Sequence, residues 1–261
     1  MTDIYLSDSI ILEENQEGYL SLHLRRKDKH NALNPEMIES LLKVLSIVKN
    51  KQKDFSFLVL LSHANHFCAG ADLAYMKAQN LKSFEENLDD AKRLAHIFYS
   101  LASLEIPVVA FVHGASIGAG LGLLTCCDYV LAVESAKFAT TEVRLGLVPS
   151  VIGPYLVRKL GVSQSQAIML SGKSFDAYSA KSIGLIHAIS SDQEFEPAKS
   201  ELIEHFLTLK PHALKQTKTL LLKTSPLPNL DMIEYTSRLI AKVRISREAQ
   251  DGMQGFFEKR S

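Results

Sequence analysis

The sequence predicts an α/β fold, with a core of alternating strands and helices followed by an all-helical C-terminal region. Three observations predict it. Short, continuously apolar runs such as FSFLVLLS (55–62) and VVAFVHG (108–114) have the character of strands covered on both faces. Stretches with helical periodicity separate such runs over about the first 190 residues. From Glu196 onward only helical patterning remains.

The elements follow in order. YLSLHL (19–24) alternates after Gly18 and reads as a strand. The polar turn RRKDKHNALN (25–34) leads to Asn34-Pro35-Glu36, a helix start with Asn34 as N-cap and Pro35 in the first turn. That helix, about 35–50, buries Met37, Leu41, Leu42, Leu45 and Val48. After the strand 55–62, HANHFCAGADL forms a loop and a short helix begins at Leu73, capped by Asp72. A long amphipathic helix over 81–103 precedes the strand 108–114. The glycine segment SIGAGLGLLTCCD (116–128) enters a helix ending near Cys127, and strands are expected at 128–134 and 137–143. Helices are expected at 151–160, 163–171 and 176–183, then a strand at 184–190. The final helical region breaks near Thr224–Pro228. The domain reading is a core over 1–195 and a helical region over 196–261.

Composition narrows the function classes. The 261 residues are 46% apolar, with 29 basic and 29 acidic side chains. A zero net charge supplies no global attraction to nucleic acid or anionic lipid, so neither is an expected partner. The three cysteines form no C-x2-C pair, which argues against a zinc knuckle and a disulfide framework. The acidic opening MTDIYLSDSIILEEN has no signal-peptide pattern, and a reducing cytoplasmic location is expected. The most apolar stretch, 106–133, carries His113, four glycines and Asp128, unlike a membrane span.

Two nucleotide motifs fail on inspection. A G-x-G-x-x-G cradle starting at Gly118 needs glycine at Leu123, and one starting at Gly120 needs it at Thr125. SGKS (171–174) resembles a P-loop ending, but the upstream glycine would fall on Ala167. His63 and His66 near Cys68 read better as solvated loop histidines than as metal ligands.

FCAGADL (67–73) and VHGASIGAGLG (112–122) share one design: a buried strand runs through small residues into a helix start. Helix starts leave N–H groups unpaired, and small residues let a ligand approach them. Two such groups aimed at one point make an oxyanion hole for a carbonyl gaining enolate charge. Tight helix–strand packing is the alternative use of the same residues.

FCAGADL, IPVVAFVHGASIGAGLGLLTCCDYVLA, AKFATTEVRLGLVPS and DGMQGFFEKR together resemble the enoyl-CoA hydratase/isomerase (crotonase) superfamily over nearly the whole chain. In detail the text is most similar to bacterial methylglutaconyl-CoA hydratases of leucine breakdown. The resemblance implies a crotonase-like ββα spiral with a C-terminal helical trimerisation region, assembling as a homotrimer or a dimer of trimers. It implies an acyl-CoA thioester as substrate, with coenzyme A as part of that substrate and no separate cofactor or metal. The oxyanion donors would be the backbone N–H groups of Ala71 and Ala119, and the catalytic acid/base Glu142. A second glutamate, usual in hydratases of the family, would fall at Gly122 and is missing. Coenzyme A contacts are implied for Arg26, Lys29, His30, Cys68, Ala69 and Asp72. Asp72 would also cap the helix that holds the Ala71 N–H. Phe256 and Lys259 would reach the coenzyme A of a neighbouring subunit. Tyr75, Met76, Val151 and Tyr155 are expected in the acyl pocket. The expected reaction is hydration of a 2-enoyl-CoA, with 3-methylglutaconyl-CoA as a candidate. Double-bond isomerisation through one glutamate, and coenzyme A binding without turnover, are the alternatives.

Overall fold

A computed structural model describes residues 2–258. The chain opens with a hairpin, β1 (Thr2–Leu6) and β2 (Ile10–Glu14), followed by β3 (Leu20–Leu24) and a 3₁₀ turn at Lys27–Lys29. Helix α1 (Pro35–Lys51) then crosses to β4 (Leu58–Ser62). Helices α2 (Leu73–Gln79) and α3 (Phe84–Ala102) lead to β5 (Val108–Val112), β6 (Ala115–Ile117) and α4 (Ala119–Thr125). Strands β7 (Tyr129–Val133) and β8 (Lys137–Ala139) precede a 3₁₀ turn, Glu142–Leu145, and α5 (Gly153–Ser171). Strand β9 (Phe175–Asp176), α6 (Ala177–Ser182) and β10 (Ala188–Ser190) finish the strand-bearing part. Helices α7 (Phe195–Thr208), α8 (Pro211–Thr224), α9 (Leu230–Arg244) and α10 (Arg247–Glu258) follow.

The main sheet has the order β1-β2-β3-β4-β5-β7-β10. Pairing is antiparallel through β3 and parallel from β3 to β10. The parallel strands are covered on both faces, which explains their unbroken apolar runs: Val108–Val112 is wholly buried. The second sheet, β6-β8-β9, is small. Single parallel bridges, Leu33 with Ala71 and Cys68 with Ser116, tie the turns after β3, β4 and β5 to one another. Successive strand–turn–helix units therefore stack their turns along one line.

Helix starts match their side chains. The Asn34 side chain accepts from the Met37 N–H at 2.9 Å, and Ser83 with Glu86 forms a reciprocal cap at the start of α3. Within α1, Met37, Leu41, Leu45 and Val48 are buried, while Leu42 is half-buried.

Several boundaries differ from the sequence reading. The strand expected over 137–143 stops at Ala139, because Glu142 begins a 3₁₀ turn. The strand expected over 184–190 begins only at Ala188. The two helices expected over 151–171 form one element interrupted at Gly161 (φ 76°, ψ 166°). The glycine segment first makes β6, and its helix ends at Thr125. No helix among the described residues is long and apolar enough to cross a membrane.

Candidate active site

The aligned turns open onto a cavity of about 1380 Å³. Small-ligand pockets span roughly 300–1,000 Å³, so this volume suits a larger, extended molecule. Its wall includes Ala71, Gly118, Ala119 and Glu142.

The Ala71 N–H is aimed by its neighbours. In the bridge to β3's turn, Leu33 N–H donates to Gly70 O (2.7 Å) and Asp72 N–H donates to Leu33 O (2.9 Å). The intervening Ala71 N–H therefore points to the other side of the strand, as alternation requires. Gly70 has φ +93°, and a Cβ there would lie 3.0 Å from Ile117 O. Gly118, at φ +51°, turns the chain from β6 into α4. Its own N–H donates to Ala139 O at 2.9 Å, and Ala119 is the first helical residue. Neither the Ala71 nor the Ala119 N–H donates to any acceptor among the described residues. The bridge between Cys68 and Ser116 holds both segments side by side.

Asp72 fixes the start of α2. Its Oδ1 accepts from the N–H groups of Ala74 (2.8 Å) and Tyr75 (3.2 Å), and its Oδ2 accepts from Arg26 Nη1 (2.6 Å). The same Arg26 nitrogen donates to Ala32 O at 2.8 Å. Arg26 and Asp72 lie on the cavity wall but satisfy each other, so they act there as positioning groups.

Glu142 begins the 3₁₀ turn after β8. Its Oε1 would lie 3.1 Å from a Cβ built on Gly118, so the carboxyl sits directly over the turn that carries the Ala119 N–H. Its Oε2 is buried without a hydrogen-bond partner in the structure. Burial disfavours the charged form and pushes the Glu142 pKa up to about 7. The other wall carboxylates are Asp28, Asp72 and Asp251. Asp28 and Asp251 are exposed, and Asp72 is fully engaged.

Gly122 does not line the cavity; it lies behind the wall residue Ile152. A Cβ there would lie 2.4 Å from Ile152 Cγ2 and 2.9 Å from Phe98 Cε1. Apolar side chains fill the space that a second carboxylate would need.

The remaining candidates separate cleanly. Lys29, His30, Ala69, Met76, Val151 and Phe256 line the cavity. Cys68, Tyr75 and Tyr155 do not. Cys68 is wholly buried, its thiol donates to Asn31 O, and burial pushes its pKa up to about 12. Its backbone N–H and C=O are both used by the bridge to β6. Tyr75 turns its hydroxyl to the Asp90 carboxylate, and Tyr155 packs beside Phe98 with ring centres 6.0 Å apart. Phe256, which the resemblance assigned to the coenzyme A of a neighbouring subunit, lies on the wall of the chain's own cavity. Lys259 lies outside the described residues.

Sequence reading gave no site role to three polar wall residues, His66 among them, which it took for a solvated loop histidine. His66 accepts from the Ala115 N–H through Nδ1 (3.1 Å), and burial together with His30 lowers its pKa. The proton of the neutral ring is then on Nε2. Arg144 and Arg244 are the other two. Only the tertiary path of α9 brings Arg244 here, and no local motif marks it. A further match was passed over: Gly114-Ala115-Ser116-Ile117-Gly118 has the spacing of a serine-nucleophile elbow. Ser116 is fully buried in β6 and its Oγ has no hydrogen-bond partner, so it has neither access nor a base.

Two free main-chain donors and one buried, partnerless carboxyl on a shared cavity wall are the groups needed to polarise a carbonyl and move a proton beside it. Comparison with known proteins agrees. The chain belongs to the enoyl-CoA hydratase/isomerase family, whose model matches residues 14–261. An enoyl-CoA hydratase from Shewanella pealeana of known crystal structure is 35% identical, with a TM-score of 0.78 over 96% of this chain and 94% of that one. The fold is thereby the crotonase fold. The mitochondrial methylglutaconyl-CoA hydratase of Mus musculus is 27% identical over 257 residues, covering 95% of this chain and 80% of the relative. The 2,3-dehydroadipyl-CoA hydratase of Escherichia coli is 29% identical over 255 residues, covering 97% of each.

Proposed function

We propose that this protein hydrates 2-enoyl-CoA thioesters to 3-hydroxyacyl-CoA. The observation that supports it most is the partnerless Oε2 of Glu142 on the same cavity wall as the free Ala71 and Ala119 N–H groups. The thioester oxygen accepts from both N–H groups. Glu142, ionised, takes a proton from water as the water oxygen bonds to the β-carbon. The π electrons of the double bond move into the thioester as an enolate, which the two donors stabilise. Glu142 then returns the proton to the α-carbon. One carboxyl with a pKa near 7 can serve both steps, because neither protonation state is far from reach at neutral pH. Lys29 and His30, exposed at the cavity rim, are suited to the coenzyme A phosphates.

Two of the three hydratase relatives carry an acyl group ending in a free carboxylate in their names, which favours a dicarboxylic enoyl-CoA such as 3-methylglutaconyl-CoA. One observation favours isomerisation as a second reading: the Gly122 position holds no carboxylate, and a shuttle between the α and γ carbons needs only one. Absorbance of the enoyl thioester separates them. Loss from methylglutaconyl- or crotonyl-CoA supports hydration, and gain from a 3-enoyl-CoA supports isomerisation. Saturable coenzyme A binding with neither change refutes both.

Self-association as a homotrimer or dimer of trimers fits the exposed apolar side chains of Leu220, Leu221, Leu230 and Tyr235 in the C-terminal helices. Light scattering on the eluting protein gives the subunit count. The three buried, unpaired cysteines suit a reducing cytoplasm.

A further inference from the structure

The cavity wall carries four cationic side chains: Arg26, Lys29, Arg144 and Arg244. Arg26 is consumed by Asp72, and Lys29 and Arg144 are exposed. Arg244 differs, because its side chain is only 12% exposed. A buried guanidinium on the wall of a ligand cavity needs a reason, since desolvating a charge is costly unless it is paired.

Its protein partners are incomplete. Arg244 Nη1 donates to Asn87 Oδ1 at 3.0 Å and stands 3.6 Å from Asp90 Oδ2, a loose pairing. Asp90 has other partners: Tyr75 Oη donates to its Oδ1 and Gln79 Nε2 to its Oδ2. Among the described residues, Nε and Nη2 of Arg244 donate to no acceptor. A guanidinium presents five N–H donors in a planar fork that matches a carboxylate.

Position follows from α2. This helix starts beside the Ala71 donor, and its wall residues run through Met76 to Gln79, whose amide meets Asp90. Seven residues at 1.5 Å each separate Asp72 from Gln79, about 10 Å. Ala91, Leu94 and Ile240 also line the cavity and are apolar. The cavity thus has donors for a thioester oxygen at one place and, farther along an apolar wall, an under-paired cation.

We infer that Arg244 is a specificity-determining residue that binds a carboxylate at the distal end of the acyl chain, selecting dicarboxylic over fatty enoyl-CoAs. This rests on the acyl-CoA reading proposed above and names the residue that would enforce its substrate class. Burial also raises the Asp90 pKa, which eases the arrival of a second anion beside it.

Calorimetric titration with saturated ligands tests this without requiring turnover. The matched pairs are glutaryl-CoA with pentanoyl-CoA and adipyl-CoA with hexanoyl-CoA, each differing by a carboxylate for a methyl. Wild type should bind the carboxylate-bearing member at least about tenfold tighter in one pair, and Arg244→Gln should abolish that preference. Arg244→Lys should retain part of it, because the charge remains but the fork is lost. Asp90→Asn should enlarge it by removing the competing anion. Circular dichroism shows whether each variant is folded; if Arg244→Gln is not, Asp90→Asn decides, and an unchanged or smaller preference overturns the inference. Equal binding within both pairs by wild type, or preference surviving Arg244→Gln, also overturns it while leaving the acyl-CoA reading intact. Failure of every acyl-CoA to bind overturns both.

Discussion

Glu142 carries opposing demands on stability and chemistry. Its pKa rises from 4.5 to about 7 on folding, so the native state holds a proton that the unfolded chain releases. Between those values the folded protein binds more protons, and stability falls as pH rises through about 7. The shift corresponds to about 3 kcal/mol of lost stability at pH 8. Glu142→Gln removes the charge and keeps the shape. Its melting temperature should exceed that of wild type at pH 8, and the gap should close near pH 4. Hydration should meanwhile fall about 10²–10⁴-fold, the usual worth of a positioned acid/base. For wild type, kcat/KM should rise with pH to half its maximum near 7, because water activation needs the carboxylate. Full activity in Glu142→Gln would refute the mechanism, and an unchanged melting curve at pH 8 would refute the burial argument. Glu142 was legible only through the family resemblance of ATTEVRLG, and its raised pKa was not legible at all, since burial depends on what packs around it.

At the scale of elements, glycines decide how closely the pieces approach the site. Helix α10 lies against the 3₁₀ turn of Glu142: a Cβ on Gly252 would meet Leu145 O at 2.6 Å, and one on Gly146 would meet Glu248 O at 2.7 Å. Those neighbours are backbone atoms and cannot step aside. Gly252→Ala should therefore push α10 away from the turn, costing roughly 1–3 kcal/mol in denaturant unfolding. It should also lower turnover, because the same turn holds Glu142; unchanged values in both assays would refute the coupling. The alternation of buried strands and amphipathic helices was readable because burial on both faces leaves a continuous apolar run, as in β5. The hairpin strand β1 and the two-residue β9 were not read, being short and only partly buried. The absence of a carboxylate at Gly122 was read through the resemblance, and packing adds that Ile152 and Phe98 occupy the space a side chain there would need. Arg244 was invisible, since its place on the wall depends on α9 packing against α3.

Across the whole molecule, a buried charged contact helps join the helical C-terminal region to the sheet. Asp128, just before β7, accepts from the Val108 N–H at 2.7 Å and pairs with Lys218 of α8. It thus joins the start of β5 to a helix ninety residues away in sequence. The two partners are unequally buried: the Lys218 side chain is 6% exposed and that of Asp128 is 32% exposed. Removing either leaves the other charge alone, and the cost depends on how dry the survivor is. Asp128→Asn keeps an acceptor for Val108 but strands a buried ammonium, with Lys159 also near. Lys218→Met strands a carboxylate that water can still reach and replaces the stem with apolar volume. Asp128→Asn should therefore be the more destabilising, by about 2–4 kcal/mol against about 1–2 for Lys218→Met. Denaturant unfolding of both variants at pH 7 measures this. A larger loss for Lys218→Met at pH 7 would mean that apolar packing of the lysine stem, and not the buried charge, fastens α8 to the core.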